Sequence, residues 1–351
     1  MSRYLMFAAL AATFFVAGCA IHPLPEDVTG VDTYHIVRRI RCEARETIRH
    51  EVLRWLNKMA SFGDPLAQKI ASQYESNPEL ISTFHYDLFQ GKEYVKVRSV
   101  AKLFYDTGIA YNFDLKMTEN NDLSAELSFL KPLTEPAFTL GVNASTKRQR
   151  SNNRTFTVTD TFSYLLTKLN TDVRGYRYCD GQIVGPNYVY PIAGRIGIDK
   201  MVHDFVELTL FANLVEPKAA SGGVGAPTMV DELTFTTTFG GSLDPVVVFT
   251  PATSAFQLTR ASLTAGADRS DVHQVSVGLA IATSGMAELE SARSFLFSSE
   301  RGAGAPNRGL TAAPVVVGRR ITGSGRTPSE ILAVIAVDQF KSRQLQLIPP
   351  P

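Results

Sequence analysis

Two pairs of side chains in the sequence have the composition of an acid–base site. His85 stands two residues before Asp87, and His203 is followed directly by Asp204. A histidine oriented by a carboxylate can act as a general base, but it needs a nucleophile or a substrate group within reach. No G-x-S-x-G, H-E-x-x-H, P-loop or G-x-G-x-x-G signature accompanies either pair. We therefore predict no catalytic residue and interpret these histidines as ordinary core or surface residues.

A regular charge pattern suggests binding rather than catalysis. Arginines spaced by three, four and four residues share one stripe of a helix, and they are Arg38, Arg41, Arg45 and Arg49. Such a stripe can contact anionic lipid head groups or an acidic protein partner. The alternative is a solvated helix face, because Glu43, Glu46 and Glu51 offset the positive charge. Both interpretations stay open at this point.

The N-terminus has the layout of an export signal. Arg3 precedes an apolar run from Tyr4 to Val16, and small residues follow it, as in a secretory signal peptide. The run is short for a transmembrane helix, which needs about 20 apolar residues. We therefore interpret residues 1–18 as a signal peptide. Residues 19–30 contain prolines and polar residues and are interpreted as a lipidated tether.

The segment Val16-Ala17-Gly18-Cys19 resembles the lipobox of bacterial lipoprotein precursors, with an apolar residue, two small residues and a cysteine. The resemblance covers only this N-terminal stretch. It implies cleavage before Cys19, a diacylglycerol on its sulfur and a further acyl chain such as palmitate on the new amino group. Two or more chains make membrane anchoring stable. Because Ala20 rather than Asp follows the cysteine, the resemblance also implies an outer-membrane location facing the periplasm.

Cys42 and Cys179 remain once Cys19 is set aside. An even pair in an exported chain favours a disulfide, which would close a long loop and contribute about 4–5 kcal/mol in the chain-entropy model. Two unpaired cysteines are the alternative, because a sequence does not show whether the Cα atoms approach. The chain has no CxxC pattern and no Cys/His cluster. We therefore predict no metal site, and no cofactor other than the covalent lipid on Cys19.

The composition limits the class of partner. The chain has 351 residues, a formal net charge of +1 and 44% hydrophobic residues. An ordinary apolar content predicts a sizeable core, and the length is enough for one large domain or two smaller ones. Because nucleic-acid binders carry a strong basic excess, the balanced charge argues against a nucleic-acid partner.

Hydrophobic periodicity predicts an α+β fold with a long N-terminal helix. The helix would begin at Asp32 or Thr33, and apolar residues recur near the helical period at Ile36, Ile40, Ala44, Ile48, Val52, Leu56 and Met59. Gly63-Asp64-Pro65 would end this helix and start another, with Asp64 as its cap. Antiparallel β-hairpins would then form one or two sheets, with helical segments between them.

Strict alternation predicts two short hairpins before residue 160. The first would pair residues 109–117 with 123–129 across the polar run 118–122, TENND. The second would pair residues 138–144 with 156–158 around a polar tip at 147–154. A third hairpin would pair residues 256–265 with 273–282 across GADRSD, after a Gly-Gly turn at 240–241. Each would give a sheet with one apolar and one polar face.

These elements divide the chain into consecutive regions. Residues 31–220 would hold the first helices and two hairpins, with a helix at about 198–214, and residues 221–300 a second antiparallel β region. Residues 301–351 would form a flexible loop and a C-terminal helix from about 329 to 345.

The first functional interpretation is a non-enzymatic lipoprotein of the bacterial cell envelope. Anchored by Cys19, it would bind a protein partner in an envelope assembly, and the arginine stripe would support this role. The second interpretation is a protomer of an oligomeric outer-membrane secretion or transport pore. A lipoprotein with two hairpins is similar in outline to oligomeric secretion-pore lipoproteins, whose protomers contribute hairpins to a shared pore. The third interpretation is an envelope hydrolase with an unrecognised site.

Overall fold

The fold was analysed in a computed structural model, and the α+β class is confirmed. The structure describes residues 22–131, 138–171, 176–182, 185–215, 225–248, 257–298 and 326–346. The signal peptide, Cys19 and most of the predicted loop at 301–328 lie outside these residues.

The described residues form eight α-helices and five strands, numbered in chain order. The helices are α1 Glu26–Thr29, α2 Thr33–Ser61, α3 Pro65–Ser76, α4 Val95–Tyr105, α5 Phe162–Thr167, α6 Ile198–Phe211, α7 Met286–Ser298 and α8 Pro328–Gln346. The strands are β1 Gly108–Lys131, β2 Phe138–Thr161, β3 Thr228–Leu243, β4 Val246–Val248 and β5 Gln257–Ala280. Short 3-10 helices lie at Pro78–Thr83, Tyr86–Leu88, Pro191–Ala193 and Thr283–Gly285.

Helix α2 forms the centre of the helical packing. Its apolar stripe is buried at Ile36, Ile40, Ala44, Ile48 and Leu56, and it packs against α3, α5 and α6. These positions agree with the helical period of the sequence. Burying such a stripe stabilises the fold by about 1.5–3 kcal/mol for each large aliphatic side chain.

The start of α3 is capped as the sequence predicts. The Asp64 carboxylate accepts hydrogen bonds of 2.9 Å from the backbone N–H groups of Leu66 and Ala67, and Pro65 occupies the first helical turn. The preceding Gly63 has φ +89°, a left-handed conformation that glycine adopts without the Cβ penalty.

The start of α6 is capped from a distant part of the chain. The buried Glu43 carboxylate on α2 accepts hydrogen bonds of 2.8–2.9 Å from the backbone N–H groups of Ile196, Gly197 and Ile198. Burial raises the pKa of Glu43, although the three amide donors oppose this shift. The contact joins two elements more than 150 residues apart in sequence.

The five strands, which differ in length, form one sheet in the order β2-β1-β5-β3, with β4 paired to β5. The two short hairpins predicted before residue 160 are wrong, because β1 runs through TENND and β2 runs through the polar tip at 147–154. The third predicted hairpin is also wrong, since β5 runs straight through GADRSD. The strand β3 likewise continues through the Gly-Gly pair at 240–241. The protein therefore has two long hairpins, β1–β2 and β3/β4–β5.

The chain divides into two units, which are described separately. The helical unit comprises Thr33–Asp114, Thr155–Phe235 and Gln274–Pro351, within the described residues. In this unit Ala110 and Ala280 of the sheet pack against Ala333 and Val337 of α8. A Cβ added at Gly108 would lie 2.4 Å from the Ser329 carbonyl oxygen, so close packing of α8 requires a glycine there.

The hairpin unit comprises Met1–Asp32, Leu115–Arg154 and Thr236–His273, within the described residues. Ordinary strands are about 3–10 residues long, whereas β1, β2 and β5 each have 24 residues. The hairpin unit therefore contains the outer parts of strands that are unusually long.

Candidate functional site

The register of the β1–β2 hairpin is defined by its cross-strand side chains. Arg150 donates to both carboxylate oxygens of Glu119, at 2.8 and 2.7 Å. Further along the same hairpin, the rings of Phe113 and Phe156 stack with centroids 4.8 Å apart. Both pairs belong to one antiparallel register, so the two strands pair without a break between these levels.

The two hairpins are joined through β1 and β5, which also pair antiparallel. Asn120 donates from Nδ2 to Asp268 Oδ2 at 2.7 Å, and Thr259 donates from its hydroxyl to the Ser128 carbonyl at 3.1 Å. On the other side of β5, Val246 pairs with Ser262 and Val248 with Arg260. Because side chains alternate between the two faces of a strand, these pairings assign each outer residue to one face of the sheet.

One face of the outer sheet is apolar and exposed. We call this surface the apolar belt. Its large members are exposed by 37–73% and are Leu123, Leu127, Phe138, Leu140, Val142, Leu243, Val247 and Leu263. On β1 the belt runs over residues 123–129, which is shorter than the about 9–11 residues of a tilted membrane-spanning strand. Contiguous exposed apolar surface of this kind is typical of a protein or membrane contact.

The opposite face of the same strands is polar, and we call it the polar face. Most of its uncharged members are small and polar and include Ser124, Ser128, Thr139, Asn143, Ser145, Ser262 and Thr264. Near the ends of the strands this face also carries apolar residues, because Val246 and Val248 pair with Ser262 and Arg260, and Leu130 and Leu258 share their face. Its charged members are the acids Asp122, Glu126, Asp244 and Asp268 and the bases Lys116, Lys147 and Arg260. Asp244 lies between β3 and β4. Gly240 of β3 lies beside Asp268 of β5, and Val246 of β4 pairs with Ser262, so both strands follow one register and Asp244 falls on the polar face. The polar face therefore has an acidic excess.

The four arginines of the predicted stripe contact groups of this chain. Arg38 donates to the carbonyl oxygens of Tyr178 and Asp180 at 2.5 and 3.1 Å. Arg41 forms a bidentate pair with Asp160 at 2.6 and 2.8 Å. Burial alone would lower the pKa of Arg41, but the Asp160 carboxylate outweighs it and holds the pKa above its usual value.

The remaining two arginines pair with glutamates. Arg45 is 6% exposed and lies 3.4 Å from the Glu79 carboxylate. Arg49 pairs with Glu46 one helical turn away. The stripe is thus largely occupied by contacts within the described part of this chain.

The disulfide prediction is confirmed. Cys42 and Cys179 are bonded, with their Cα atoms 5.6 Å apart and a separation of 137 positions in sequence. The bond ties α2 to the segment that carries Tyr178. This segment also accepts the Arg38 hydrogen bond, so covalent and polar contacts fix it together.

The histidine pairs have structural contacts. His85 Nδ1 accepts a hydrogen bond of 3.2 Å from the Asp87 backbone N–H and so caps the 3-10 helix that follows. His203 Nδ1 lies 2.8 Å from Arg54 Nη1 and 3.4 Å from Glu51 Oε1.

Within the described residues, no group of three His, Cys, Asp or Glu side chains could hold a metal ion. Among the described helices, none is both long and apolar enough to cross a membrane.

An apolar pocket of about 180 Å³ in the helical unit had no sequence signal. Trp55, Phe104, Val206 and Phe211 contribute to its lining, and Arg54 and His203 lie at the same pocket. Its walls come from four helices, so only the tertiary packing brings them together. We assign it no function.

The structure thus defines a class of protein: an α+β body with two long hairpins that form a sheet with one apolar and one polar face. The chain belongs to the family described as "Uncharacterised protein y4kA", whose model matches residues 22–293. The protein of this name from Sinorhizobium fredii (strain NBRC 101917 / NGR234) is 31% identical over 276 residues, which are 78% of this chain and 82% of the relative.

Among solved structures, one similarity involves the secretin InvG of the Salmonella SPI-1 type III secretion injectisome, residues 176 to the end, in the open gate state. The alignment has a TM-score of 0.21 and 8% identity and covers 49% of this chain and 60% of InvG. A likeness at this level carries no argument about fold or function.

Proposed function

We propose that the protein is a protomer of an oligomeric outer-membrane pore, anchored by the lipid on Cys19. Its two long hairpins would enter the bilayer, with the apolar belt facing lipid and the polar face lining the passage. The observation that carries the proposal is the separation of the outer sheet into these two faces. Alternation of this kind is the pattern of membrane-spanning strands.

The edges of the sheet favour assembly from several copies. Among the described strands, β2 and β3 end the sheet order, and they run antiparallel to each other because each intervening pair is antiparallel. An edge strand offers backbone groups that another chain can pair with. The β2 edge of one copy can therefore continue the sheet at the β3 edge of the next, which is the arrangement a closed ring requires.

The accessory-binding interpretation has less support than the sequence suggested. It depended on an available arginine stripe, and these guanidinium groups contact carboxylates and carbonyls of the same chain. The apolar belt, by contrast, supports a membrane contact. We therefore place the pore first and keep the binding lipoprotein as the alternative that the experiment below can restore.

The test uses the lipidated protein reconstituted into dye-loaded vesicles. Wild-type protein should release the dye, and Leu127→Arg should reduce release at least tenfold. The reason is that a cation on the lipid face costs about 2–4 kcal/mol near the bilayer midplane. The matched control is Ser128→Arg, which places the same side chain one position further on the polar face. It should retain release within about twofold.

Two outcomes would reject the pore. One is equal release by Leu127→Arg and Ser128→Arg, since the two faces would then have no distinct roles. The other is a form without Cys19 that is monomeric in detergent-free buffer while the lipidated protein leaves vesicles intact. That second result would make partner binding the leading function.

A further inference from the structure

Residues 23–29, a few positions after Cys19 in sequence, are folded against the belt-bearing face of the sheet. Pro23 and Pro25 are buried, and α1 follows at Glu26–Thr29. Arg269 donates to the Leu24 carbonyl at 2.5 Å, and Asn152 Nδ2 donates to the Pro23 carbonyl at 3.0 Å. The sequence pattern had suggested a loose tether here, but these contacts attach the segment at two points.

Arg269 is itself held firmly in place. Its guanidinium donates to both oxygens of Asp271 at 2.8 and 3.1 Å, and Asp271 is fully buried. A second carboxylate, from Asp27 on α1, lies 3.7 Å away. A bidentate pair restricts the orientation of a guanidinium, so Arg269 presents another N–H group of Nη2 to the Leu24 carbonyl in a fixed direction.

Both attachment residues lie on the same face as the apolar belt. Arg269 is four positions from Ala265 on β5, and the parity of the strand places Leu263, Ala265 and Arg269 on one side. In the hairpin register Asn152 shares the face of Val142 on β2. In these registers Leu123, at the near end of the belt, is level with Ala265, and Asn152 is level with Met117. At about 3.3 Å per residue, Arg269 lies about 13 Å and Asn152 about 20 Å along the strands from this end of the belt.

The short length of chain limits where the anchor can go. Cys19 precedes Pro23, the first attached residue, by four residues, which span at most about 14 Å when fully extended. We propose that Arg269 and Asn152 hold this segment as a clasp, so that the lipid of Cys19 enters the bilayer beside the apolar belt. The inference rests on the proposed function for the belt's membrane contact, and it adds the place of the anchor.

The experiment labels the lipid of the full-length protein in cells with a palmitate analogue that carries a photoreactive diazirine. After irradiation of the membranes, peptides are analysed for lipid adducts. Adducts should concentrate on residues 121–131 and 257–267, which carry the part of the belt that lies on β1 and β5. Asn152→Ala should reduce these adducts at least twofold, and Arg269→Gln should reduce them further.

The control is Arg260→Gln, which removes the same charge from the other face of β5 and should leave the adducts unchanged. Because Arg269→Gln leaves Asp271 without its main partner, its melting temperature is compared with wild type. If it is unfolded, Asn152→Ala decides the result alone. Adducts elsewhere in wild type, or adducts that Asn152→Ala does not change, would overturn the clasp. Dye release measures the pore separately, so belt adducts without release would reject the pore and keep the clasp.

Discussion

At the scale of the residue, burial decides what a charged side chain can do. The arginines of α2 have a spacing that suits a binding stripe, yet Arg38 and Arg45 are each only 6% exposed. Leaving such a charge without its partner would be costly, so these contacts contribute mainly to the stability of the native packing. His273 in the hairpin unit is also buried, but it stays neutral because burial disfavours its charged form and lowers its pKa.

We predict that His273 makes the protein less stable in mild acid. Burial lowers the pKa of His273 from 6.5 to about 4, although the neighbouring Asp271 opposes the shift. The unfolded chain binds a proton below about pH 6.5, whereas the folded chain does not until about pH 4. The neutral His273 therefore costs no stability above pH 6.5. As the pH falls from 6.5 towards 4, its contribution lowers the free energy of unfolding by about 3 kcal/mol in total.

The check is the free energy of unfolding of wild type and His273→Gln between pH 7.5 and 4. Carboxylates also titrate in this range, so the informative quantity is the difference between the two slopes. The variant should lose less stability than wild type. Identical slopes would contradict the prediction.

We also predict that the disulfide is a main source of stability. Replacing both Cys42 and Cys179 by serine should lower the free energy of unfolding by about 4–5 kcal/mol, because the bond closes a very long loop in the unfolded chain. Reducing agent should destabilise wild type by a similar amount and leave the double variant unchanged. A reductant effect on the double variant would point to a different cause.

At the scale of the element, cross-strand pairing outweighs local turn preferences. The run TENND is rich in residues that favour turns, but it lies inside β1. Here Glu119 pairs with Arg150 on β2, and Asn120 pairs with Asp268 on β5. Each cross-strand pair contributes about 0.2–1 kcal/mol, and the backbone ladder adds to this. A turn at this place would lose all of these contacts.

A proline substitution distinguishes a strand from a turn at this position. Asn120→Pro should destabilise the protein by about 1–3 kcal/mol more than Asn120→Ala, because proline removes a ladder hydrogen bond from a central strand. Both variants lose the side-chain contact to Asp268, so their difference reports on the backbone. Denaturant unfolding measures it. A proline variant as stable as the alanine variant would indicate the turn that the sequence pattern had suggested.

At the scale of the whole molecule, the proposed assembly repeats the polar face of every protomer around one passage. The acids Asp122, Glu126, Asp244 and Asp268 outnumber the bases Lys116, Lys147 and Arg260 on this face by one. The whole chain, by contrast, has a net charge of only +1. Rings of carboxylates favour cations in a channel, so the distribution of charge matters more than its total.

We predict that the reconstituted pore prefers cations. In planar bilayers with a KCl gradient, the reversal potential should have the sign of cation selectivity, and Glu126→Lys should weaken or reverse it. The control is Glu93→Lys, an equal charge change at an exposed residue of the helical unit. A shift of the same size in both variants would mean that the polar face does not line the passage.

Local periodicity was sufficient for part of this structure. The helical period of α2, the Asp64 cap and the alternation that separates apolar from polar faces all depend on neighbouring residues, and the structure contains each of them. The lipobox resemblance at Cys19 is also local, and the anchor that it implies remains a prediction. The sequence could therefore indicate the α+β class and the two-faced strands.

Other features depend on residues that are distant in sequence. Whether Cys42 meets Cys179, whether Arg41 meets Asp160 and whether β1 continues past Asn120 are decided by long-range contacts. A turn preference is weak, and paired neighbours on both sides of a strand can override it. For this reason the period of the strands was readable from the sequence, whereas their length, their partners and the attachment of the N-terminal segment were settled only by tertiary packing.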